Sequence, residues 1–382
     1  LPTLIDSEGV KTSEWSHVRA QLLEKLAFYE YGFAPAVPTR LRFQELREDR
    51  RALGGKATKR EVRVHFGPEG TPTFDLLLYT PNAVTKSAPV FLGLNFHGNH
   101  TTTSDPEVTM TSSWVPGRGD GVEDNRATPA SRGTEADRWP FEAIIDRGYA
   151  VGTVYHGDID PDYHDPSIGI QPHLTDSLEE GQADHAWAGL RAWAYGLSRA
   201  ADYLVQLSVI DAERIAVMGH SRNGKTALVA GAFDERFSLV VSNQSGCGGA
   251  AISRRRHGET VKVINTNFPH WFNGAFKQFN DREDFLPMDQ HTLLAAVAPR
   301  PLLICSATGD DWADPEGEFL AAKEASKVYD WLGCTALQDA DMPSENALLN
   351  QTVGYHIRPG KHGIGIADWT VFMDFADKQW GK

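Results

Sequence analysis

The stretch of sequence that decides the fold reads Gly219-His220-Ser221-Arg222-Asn223-Gly224-Lys225. The mostly apolar residues 214–218 before it predict a buried strand, and residues 226–232 after it predict a helix. A Gly-x-Ser turn between such a strand and helix is typical of a nucleophile elbow, which exposes the serine hydroxyl at the carboxyl edge of a sheet. There the next backbone amide and the helix start can stabilise an oxyanion. Asn223 stands where a second glycine is usual, and the alternative is an ordinary turn that contains a serine.

Apolar runs alternate with helical patterns along most of the chain. Further strands are predicted at residues 61–66, 74–79, 90–96, 149–155, 237–242 and 301–307, and helices at 13–31, 182–207 and 366–380. This alternation predicts an α/β fold of three layers, in which helices cover both faces of a mostly parallel sheet with an antiparallel edge. The sequence has no repeats, low-complexity tracts or linkers, which predicts one catalytic domain over residues 1–382. Its ligand is expected at the carboxyl ends of the strands.

Two long polar segments, residues 101–140 and 157–181, each directly follow a predicted strand. Segments of this length inside a compact domain tend to be functional or disordered. Because both should rise at the carboxyl edge of the sheet, we expect them to form walls of the substrate site. The alternative is that they are flexible surface excursions.

Composition excludes several classes of partner. Of the 382 residues, 41% are apolar and 23% are charged, which is ordinary for a globular protein. The formal net charge of −14 disfavours nucleic-acid backbones and anionic membranes, and no apolar run of about 18 residues predicts a membrane span. The start, Leu1-Pro2-Thr3-Leu4, is not typical of a signal peptide and lacks Met, so we expect a trimmed mature chain. The three cysteines, which allow one disulfide at most, are Cys247, Cys305 and Cys334.

Two patterns could suggest a metal site, and we predict none. Asp158, Asp160 and Asp162 alternate like calcium ligands, but the sixth position of the loop lacks the glycine of an EF-hand. His97 and His100 follow a predicted central strand, where a His-Gly pair more simply belongs to the oxyanion-side loop. No pair of cysteines has the spacing of zinc ligands.

A serine nucleophile needs a base, which in this kind of fold follows both the serine and the acid along the chain. Three histidines come late enough, namely His291, His356 and His362. His356 lies in a strand-like run, which is typical of a structural histidine. His362 lies in a glycine-flanked loop just before the last predicted helix, so we predict that it is the base for Ser221.

The acid that orients the base should lie just past the predicted strand at 301–307. Asp310 and Asp311 both fit this position, and periodicity does not choose between them. Asp314, next to Pro315, is more typical of a helix cap. The alternative for the aspartate pair is a solvated acidic loop without a catalytic role.

Arg222 and Lys225 bring two cations to the start of the predicted helix, where they oppose its macrodipole. We favour an anionic or electron-rich ligand as the compensating partner, and a structural salt bridge is the alternative. Arg222 could also add its guanidinium to the backbone donors that stabilise an oxyanion.

With these residues in place, the chain resembles the bacterial glucuronoyl esterases of carbohydrate esterase family 15. The Ser-Arg-Asn-Gly-Lys core of the elbow carries the resemblance, and the supporting segments are Trp193-Ala194-Tyr195-Gly196-Leu197-Ser198-Arg199, Ser245-Gly246-Cys247-Gly248-Gly249-Ala250, Trp312-Ala313-Asp314-Pro315 and Lys361-His362-Gly363. The resemblance implies an α/β-hydrolase fold, no cofactor, and hydrolysis of esters between 4-O-methyl-glucuronic acid of xylan and lignin alcohols. The expected partner is glucuronoxylan or a lignin-carbohydrate ester, and we expect a monomer that is secreted or periplasmic.

The resemblance also implies roles for individual residues. For catalysis it implies the nucleophile Ser221, the base His362 and the oxyanion residue Arg222, and for substrate binding Lys225, Glu259 and Trp312. Many members carry a catalytic Glu at the position of Gln244, whereas some bacterial members use an Asp near the Trp-Ala-Asp-Pro motif, which favours Asp310. Either this chain uses the second position alone or Gln244 replaces a native Glu. On this basis Gln244→Glu is expected to preserve or raise activity.

Two other functions remain open from the sequence. One is a different carbohydrate esterase, such as an acetylxylan or cinnamoyl-type enzyme, and an acetyl esterase has no need of two cations beside its serine. The other is a catalytically decayed carbohydrate-binding homologue, which Gln244 could suggest. The presence of Ser221, His362 and Asp310 argues against this second alternative.

Overall fold

The computed structural model describes residues 1–5, 11–36, 41–67, 69–165, 167–174, 183–337 and 340–382. These residues contain twelve β-strands. The strands are β1 (Arg42–Ala52), β2 (Ala57–His65), β3 (Thr73–Pro81), β4 (Ala88–Asn95), β5 (Val122–Glu123), β6 (Arg126–Ala127), β7 (Ala150–Tyr155), β8 (Ile210–His220), β9 (Phe237–Asn243), β10 (Leu302–Ala307), β11 (Leu348–Asn350) and β12 (Val353–Arg358). Ten of them form one sheet in the order β1-β2-β3-β7-β4-β8-β9-β10-β12-β11, and β5 pairs with β6 in a separate hairpin.

Six neighbouring strands of the large sheet, β7, β4, β8, β9, β10 and β12, run parallel. The strands β1, β2 and β3 extend this sheet antiparallel at one end, and β11 does so at the other. The predicted mostly parallel sheet with an antiparallel edge is therefore confirmed. Because the parallel strands share one direction, their carboxyl ends meet at a single edge.

Helices cover both faces of the sheet. They are α1 (Trp15–Leu26), α2 (Phe141–Asp146), α3 (His156–Ile159), α4 (Gly189–Leu204), α5 (Arg222–Phe233), α6 (Val261–Asn267), α7 (Gln290–Ala295), α8 (Pro315–Trp331) and α9 (Ile366–Trp380). Side chains of β8 alternate between two buried clusters, since Val217 joins one and its neighbours Ala216 and Met218 join the other. Helices α1, α4, α5 and α8 contribute to the first cluster, and α2 and α9 to the second. The three predicted layers are confirmed.

The sequence did not predict every element. Strand β1 is rich in charged residues and most of its side chains are partly or fully exposed, so it shows no apolar run. Helix α8 was also missed, because Pro315 and Gly317 at its start are typical of turns. Asp314 caps this helix through an Oδ1 that accepts from the Gly317 amide at 3.0 Å, as the sequence suggested. The predicted helix at 182–207 is α4, and residue 182 lies outside the described residues.

The two polar segments differ in how much of each is described. Residues 101–140 form short 3₁₀ turns and the β5–β6 hairpin. The segment 157–181 begins within α3, and its residues 166 and 175–181 lie outside the described residues. Three free cysteines, Cys247, Cys305 and Cys334, carry no disulfide. Within the described ranges, no helix has the length and apolar character needed to cross a bilayer, and no cluster of three or more acidic, His or Cys side chains could hold a metal ion.

A buried carboxyl group fixes the loop that follows β9. Glu318, in the first turn of α8, accepts hydrogen bonds from the amides of Ser245 and Gly246 at 2.7 and 2.9 Å and from the Ser306 hydroxyl at 2.5 Å. Burial raises the pKa of Glu318 to about 7, although these hydrogen bonds oppose the shift. Folded protein therefore keeps this proton at pH values at which unfolded chain releases it.

This raised pKa predicts a pH-dependent contribution to stability. Between about pH 4.5 and pH 7 the folded state binds more protons at Glu318 than the unfolded state, so the free energy of unfolding contributed by this group falls as pH rises. The Glu318→Gln variant keeps an acceptor for both amides and cannot ionise. Urea unfolding of both proteins at several pH values should show the difference, wild type minus variant, decreasing across this window by at most about 1.4 kcal/mol per pH unit. A difference that does not change with pH, or that rises, would contradict the assignment.

Candidate active site

Ser221 lies in the turn from β8 into α5 with φ of 59° and ψ of −130°. A residue other than glycine is uncommon at positive φ, and such positions cluster at functional sites. The serine backbone is held on both sides, because its amide donates to the carbonyl of Asn243 at 2.9 Å and its own carbonyl accepts from Gly224 and Lys225. The geometry is that of a nucleophile elbow at the carboxyl edge of the sheet.

Gly219 allows the chain to turn this tightly. A Cβ atom at this position would lie 1.9 Å from the carbonyl oxygen of Asn223, which is far inside contact distance. Asn223 itself is buried and ties the elbow to its neighbours. Its Nδ2 donates to the Leu94 carbonyl at 3.1 Å, and its Oδ1 lies 3.2 Å from Nδ1 of His156. The departure from the usual glycine thus anchors the turn to β4 and α3.

His362 and Asp310 form a short side-chain pair at the same edge. The distance from His362 Nδ1 to Asp310 Oδ2 is 2.6 Å, and the Asp310 side chain is 4% exposed whereas that of His362 is 42% exposed. Asp311, the other candidate acid, is 86% exposed and lies 2.8 Å from Nε2 of His257. The structure therefore places Asp310, and not Asp311, against the predicted base. A carboxylate at Nδ1 favours the tautomer that leaves Nε2 free to accept a proton.

The other late histidines lie elsewhere. His356, on β12, has its Nδ1 3.1 Å from the carbonyl of Ala347. His291, on α7, has its Nε2 2.9 Å from the carbonyl of Pro2. Both are buried and bonded to backbone, which is the structural role that the strand-like setting of His356 indicated.

His220 packs against the ring of His362. The rings of His220 and His362 pack with their centroids 4.4 Å apart and their planes 38° apart. His220 is buried, and its Nδ1 lies 3.1 Å from Nδ2 of Asn243. Burial and the nearby charge of His362 hold the pKa of His220 well below its usual range, so it stays neutral beneath the predicted base.

Arg222 is paired with a carboxylate of the chain itself. Its Nη1 donates to Asp162, and both side chains are largely buried. The guanidinium carbon also lies 4.9 Å from the ring centroid of Trp271 and 5.4 Å from that of Phe268. The expectation that a ligand compensates this cation is therefore wrong, because a residue 60 positions away in sequence supplies the charge.

Asp162 is held in turn by two further donors. His270 Nε2 lies 2.9 Å and Trp271 Nε1 lies 2.7 Å from its Oδ1. Burial opposes ionisation, but the hydrogen bond from His270 and the charge of Arg222 outweigh it and hold the pKa of Asp162 well below its usual range. The carboxylate is therefore ionised wherever the protein is folded at ordinary pH, and Arg222 is fixed in orientation.

Lys225 is also neutralised from within the chain. Its Nζ donates to the carbonyls of Ser245 and Cys247 at 2.5 and 2.6 Å and lies 3.6 Å from Oε2 of Glu259. Lys225 and Glu259 are both buried. Two of the three ammonium protons are thus committed to backbone, which leaves one directed to the carboxylate or to a bound molecule.

The seven residues predicted for the site share one cavity of about 320 Å³. They are Ser221, His362, Asp310, Arg222, Lys225, Glu259 and Trp312. Phe268 and Trp271 add apolar walls, and Trp312, which is 55% exposed, stands at the rim. The cavity therefore brings Ser221, His362 and Asp310 together with charged and aromatic side chains.

A second cavity of about 400 Å³ has Ser221, Arg222 and His362 in common with the first. Pro116, Arg118 and Arg138 from the polar segment 101–140 line it. Phe96 and His97, which follow β4, line it as well, and Nδ1 of His97 lies 2.9 Å from Oε1 of Glu135. This segment therefore does form part of a wall beside the serine.

Some of the residues that hold Arg222 in place were not predicted from the sequence. Asp162 appeared there only in a metal-binding pattern that was rejected, and neither His270 nor Trp271 was singled out. The available signal was the dense group of aromatic and polar residues at 268–273, which lies in a segment without helical or strand periodicity.

Proteins that are similar to this chain in sequence are esterases, which agrees with a serine at a nucleophile elbow. A sequence model of the family described as "Glucuronyl esterase, fungi" matches residues 181–333. A carbohydrate esterase from an unknown prokaryotic organism is 49% identical in an alignment of 380 residues that covers 98% of this chain and 88% of that protein.

Solved structures of bacterial proteins are similar over nearly the whole chain. A promiscuous CE15 esterase from a marine bacterial metagenome has a TM-score of 0.90 at 49% identity, and the match covers 97% of this chain and 93% of that one. A glucuronoyl esterase from Solibacter usitatus has a TM-score of 0.92 at 41% identity, with 100% and 98% covered. The chain therefore has an α/β-hydrolase fold and belongs to carbohydrate esterase family 15, the glucuronoyl esterases.

Proposed function

We propose that this protein hydrolyses esters of 4-O-methyl-glucuronic acid, of the kind that join glucuronoxylan to lignin alcohols, by a Ser-His-Asp mechanism. One observation carries the proposal: the buried Lys225–Glu259 pair lines the same cavity as Ser221, His362 and Asp310. A site that reads sugar hydroxyls thus directly adjoins a complete set of acyl-transfer groups.

In this mechanism the Ser221 hydroxyl attacks the ester carbonyl while Nε2 of His362 accepts its proton. Asp310 holds the Nδ1–H and stabilises the imidazolium that forms. The imidazolium then donates the proton to the departing alcohol oxygen, which leaves an acyl-enzyme ester on Ser221. A water molecule that His362 deprotonates attacks this ester, and His362 returns the proton to Ser221 Oγ as the acyl bond breaks and the uronic acid leaves.

Arg222 stabilises the oxyanion in two ways. Its backbone amide follows the nucleophile directly, and its guanidinium borders both cavities. Because Asp162, His270 and Trp271 hold the side chain in place, little reorganisation is needed when the charge develops. Arg222 therefore acts mainly on kcat.

The sugar ring occupies the cavity of Lys225, and the alcohol faces the cavity of Arg118. Lys225 donates its remaining proton to a ring or hydroxyl oxygen, and Glu259 accepts from a hydroxyl. Trp312 at the rim offers an apolar face to the pyranose. A polymeric substrate fits a secreted or periplasmic protein, and we further propose a monomer with one catalytic domain over residues 1–382 and no cofactor.

The triad assignment predicts large losses in matched variants. Ser221→Ala and His362→Ala should lower kcat on benzyl glucuronate by several orders of magnitude, and Asp310→Asn should lower it by roughly 10²–10⁴-fold, because triad members act as a unit. Asp311→Asn changes the neighbouring carboxyl in the same way and should leave the rate near that of wild type. A Ser221→Ala variant with near-native turnover would refute the mechanism.

The substrate assignment predicts a change in a ratio of activities. Lys225→Met keeps the length of the side chain and removes its donors, so kcat/KM for benzyl glucuronate should fall roughly 10–10³-fold further than that for p-nitrophenyl acetate. The acetate ester reports any structural damage, because it lacks the hydroxyls that Lys225 would bind. Lys327→Ala, an exposed change on α8, should leave the ratio unchanged.

The same two substrates separate the remaining alternatives. Hydrolysis of the acetate without the glucuronate ester would favour an acetylxylan or cinnamoyl-type esterase. Hydrolysis of neither would favour a decayed carbohydrate-binding homologue. An unchanged ratio in Lys225→Met would make the lysine structural.

A further inference from the structure

We propose that Gln244 is a positioning residue for the catalytic histidine: its neutral amide holds the loop of His362 in place. The proposal rests on the Ser-His-Asp mechanism proposed above. It assigns the acid role to Asp310 alone and gives residue 244 a different role, which requires an amide.

The side chain of Gln244 pairs with the backbone of the residue after His362. Its Nε2 donates to the carbonyl of Gly363 at 3.0 Å, and its Oε1 accepts from the amide of Gly363 at 2.9 Å. Gln244 is 1% exposed, so water does not compete for these bonds. These two hydrogen bonds hold the amide and the carbonyl of one residue, which belong to adjacent peptide units, and so restrict the movement of this stretch of backbone. They therefore fix the backbone from which the His362 ring projects.

Gln244 is itself anchored to the centre of the sheet. It follows β9, and its amide donates to the carbonyl of Cys305 on β10 at 2.7 Å. Its φ is 52°, which is uncommon for a residue with a side chain. This backbone conformation is the one that accompanies the pairing with Gly363. The support under the histidine loop therefore begins in a rigid part of the fold.

The surroundings of the Gly363 carbonyl show why an amide is needed. This oxygen also accepts from Nη2 of Arg358 at 2.8 Å and lies 3.3 Å from Nδ2 of Asn243. These two groups and Nε2 of Gln244 are all donors, and a carboxylate at position 244 would present an acceptor there instead. Such a carboxylate could keep only the bond from the Gly363 amide. Gln244→Glu should therefore weaken the support, contrary to the expectation that a second acid would help the histidine.

Three contacts together set the ring of His362. Asp310 binds Nδ1, the neutral ring of His220 packs against one face, and Gln244 fixes the following peptide. Displacement of a reacting group by about 1 Å can cost on the order of 10²-fold in rate. Gln244 also lines the cavity of about 320 Å³, but loss of the third contact should slow proton transfer more than it weakens substrate binding.

The test compares Gln244→Glu and Gln244→Met with the same two changes at Gln379. Gln379 is a useful control because its Nε2 donates to a backbone carbonyl, that of Gln351 at 2.9 Å, on α9 away from the cavity. For each variant, kcat and KM are measured on benzyl glucuronate and on p-nitrophenyl acetate. The rate at which diethyl p-nitrophenyl phosphate modifies Ser221 is also measured, together with the thermal unfolding midpoint. Gln244→Met keeps the test valid if the Glu variant fails to fold.

Both Gln244 variants should lower kcat on both esters and the phosphorylation rate of Ser221 roughly 10–10²-fold, with KM changed less than about twofold. The Gln379 variants should match wild type in all rates. A purely structural role would lower the unfolding midpoint and leave the rates of the folded protein unchanged. That result would overturn the proposal, as would a Gln244→Glu rate equal to or above wild type.

A double variant distinguishes an amide support from an alternative acid site. If residue 244 could serve as the acid, Asp310→Asn combined with Gln244→Glu would recover activity relative to Asp310→Asn alone. We expect no recovery. Failure of wild type on the glucuronate ester alone would refute the proposed substrate, and the acetate and phosphate rates would still decide the role of Gln244. Inertness of wild type toward all three reagents would overturn both proposals.

Discussion

The close approach of Gly219 to the backbone of Asn223 is the constraint on which the site depends. No side chain fits at position 219, since a Cβ atom there would lie 1.9 Å from the Asn223 carbonyl oxygen. This contact lets β8 turn directly into α5 and leaves Ser221 at a φ of 59°. A helix that begins directly after the serine is expected to offer its first amides as oxyanion donors. The nucleophile and its oxyanion donors are therefore consequences of one backbone geometry.

The elbow places two cations at a helix start, where the macrodipole disfavours them. Each cation is tolerated because another segment of the chain folds over it. Asp162, from the segment after β7, pairs with Arg222, while the carbonyls of Ser245 and Cys247, after β9, bind Lys225. A buried charge left without its partner costs several kcal/mol. Formation of the substrate cavity is thus coupled to correct folding of these two segments.

The sequence predicted those elements whose conformation depends on neighbouring residues in the chain. Buried apolar strands and the glycine-serine spacing predicted the parallel sheet and the elbow, and a glycine-flanked loop before α9 predicted His362. Strand β1 was not predicted, because its charged residues form a partly exposed edge strand that has no apolar pattern. Periodicity did not choose between Asp310 and Asp311, since adjacent residues in a turn point in different directions, whereas the family resemblance favoured Asp310, which the folded loop places against His362.

Long-range pairings were beyond local reasoning for a physical reason. The partner of Arg222 lies 60 residues away in a segment with no periodicity, so the sequence suggested a ligand where the fold supplies Asp162. Gln244 was interpreted as a missing acid because its pairing with Gly363, 119 residues later, has no sequence signature. Both cases concern polar groups whose partners are set by the assembled loops. A sequence motif can therefore single out such residues as important, but it does not show which groups they bind.

The central claim is that the elbow divides the substrate, with the uronate on the side of Lys225 and the alcohol on the side of Arg118. A crystal structure of the Ser221→Ala variant soaked with benzyl glucuronate tests it most directly. We expect the sugar ring to bind between Lys225, Glu259 and Trp312, with the carbonyl oxygen within hydrogen-bond distance of Arg222. The benzyl group should then lie in the cavity lined by Pro116 and Arg118. A sugar ring bound in the cavity of Arg118, with the benzyl group against Lys225, would contradict it.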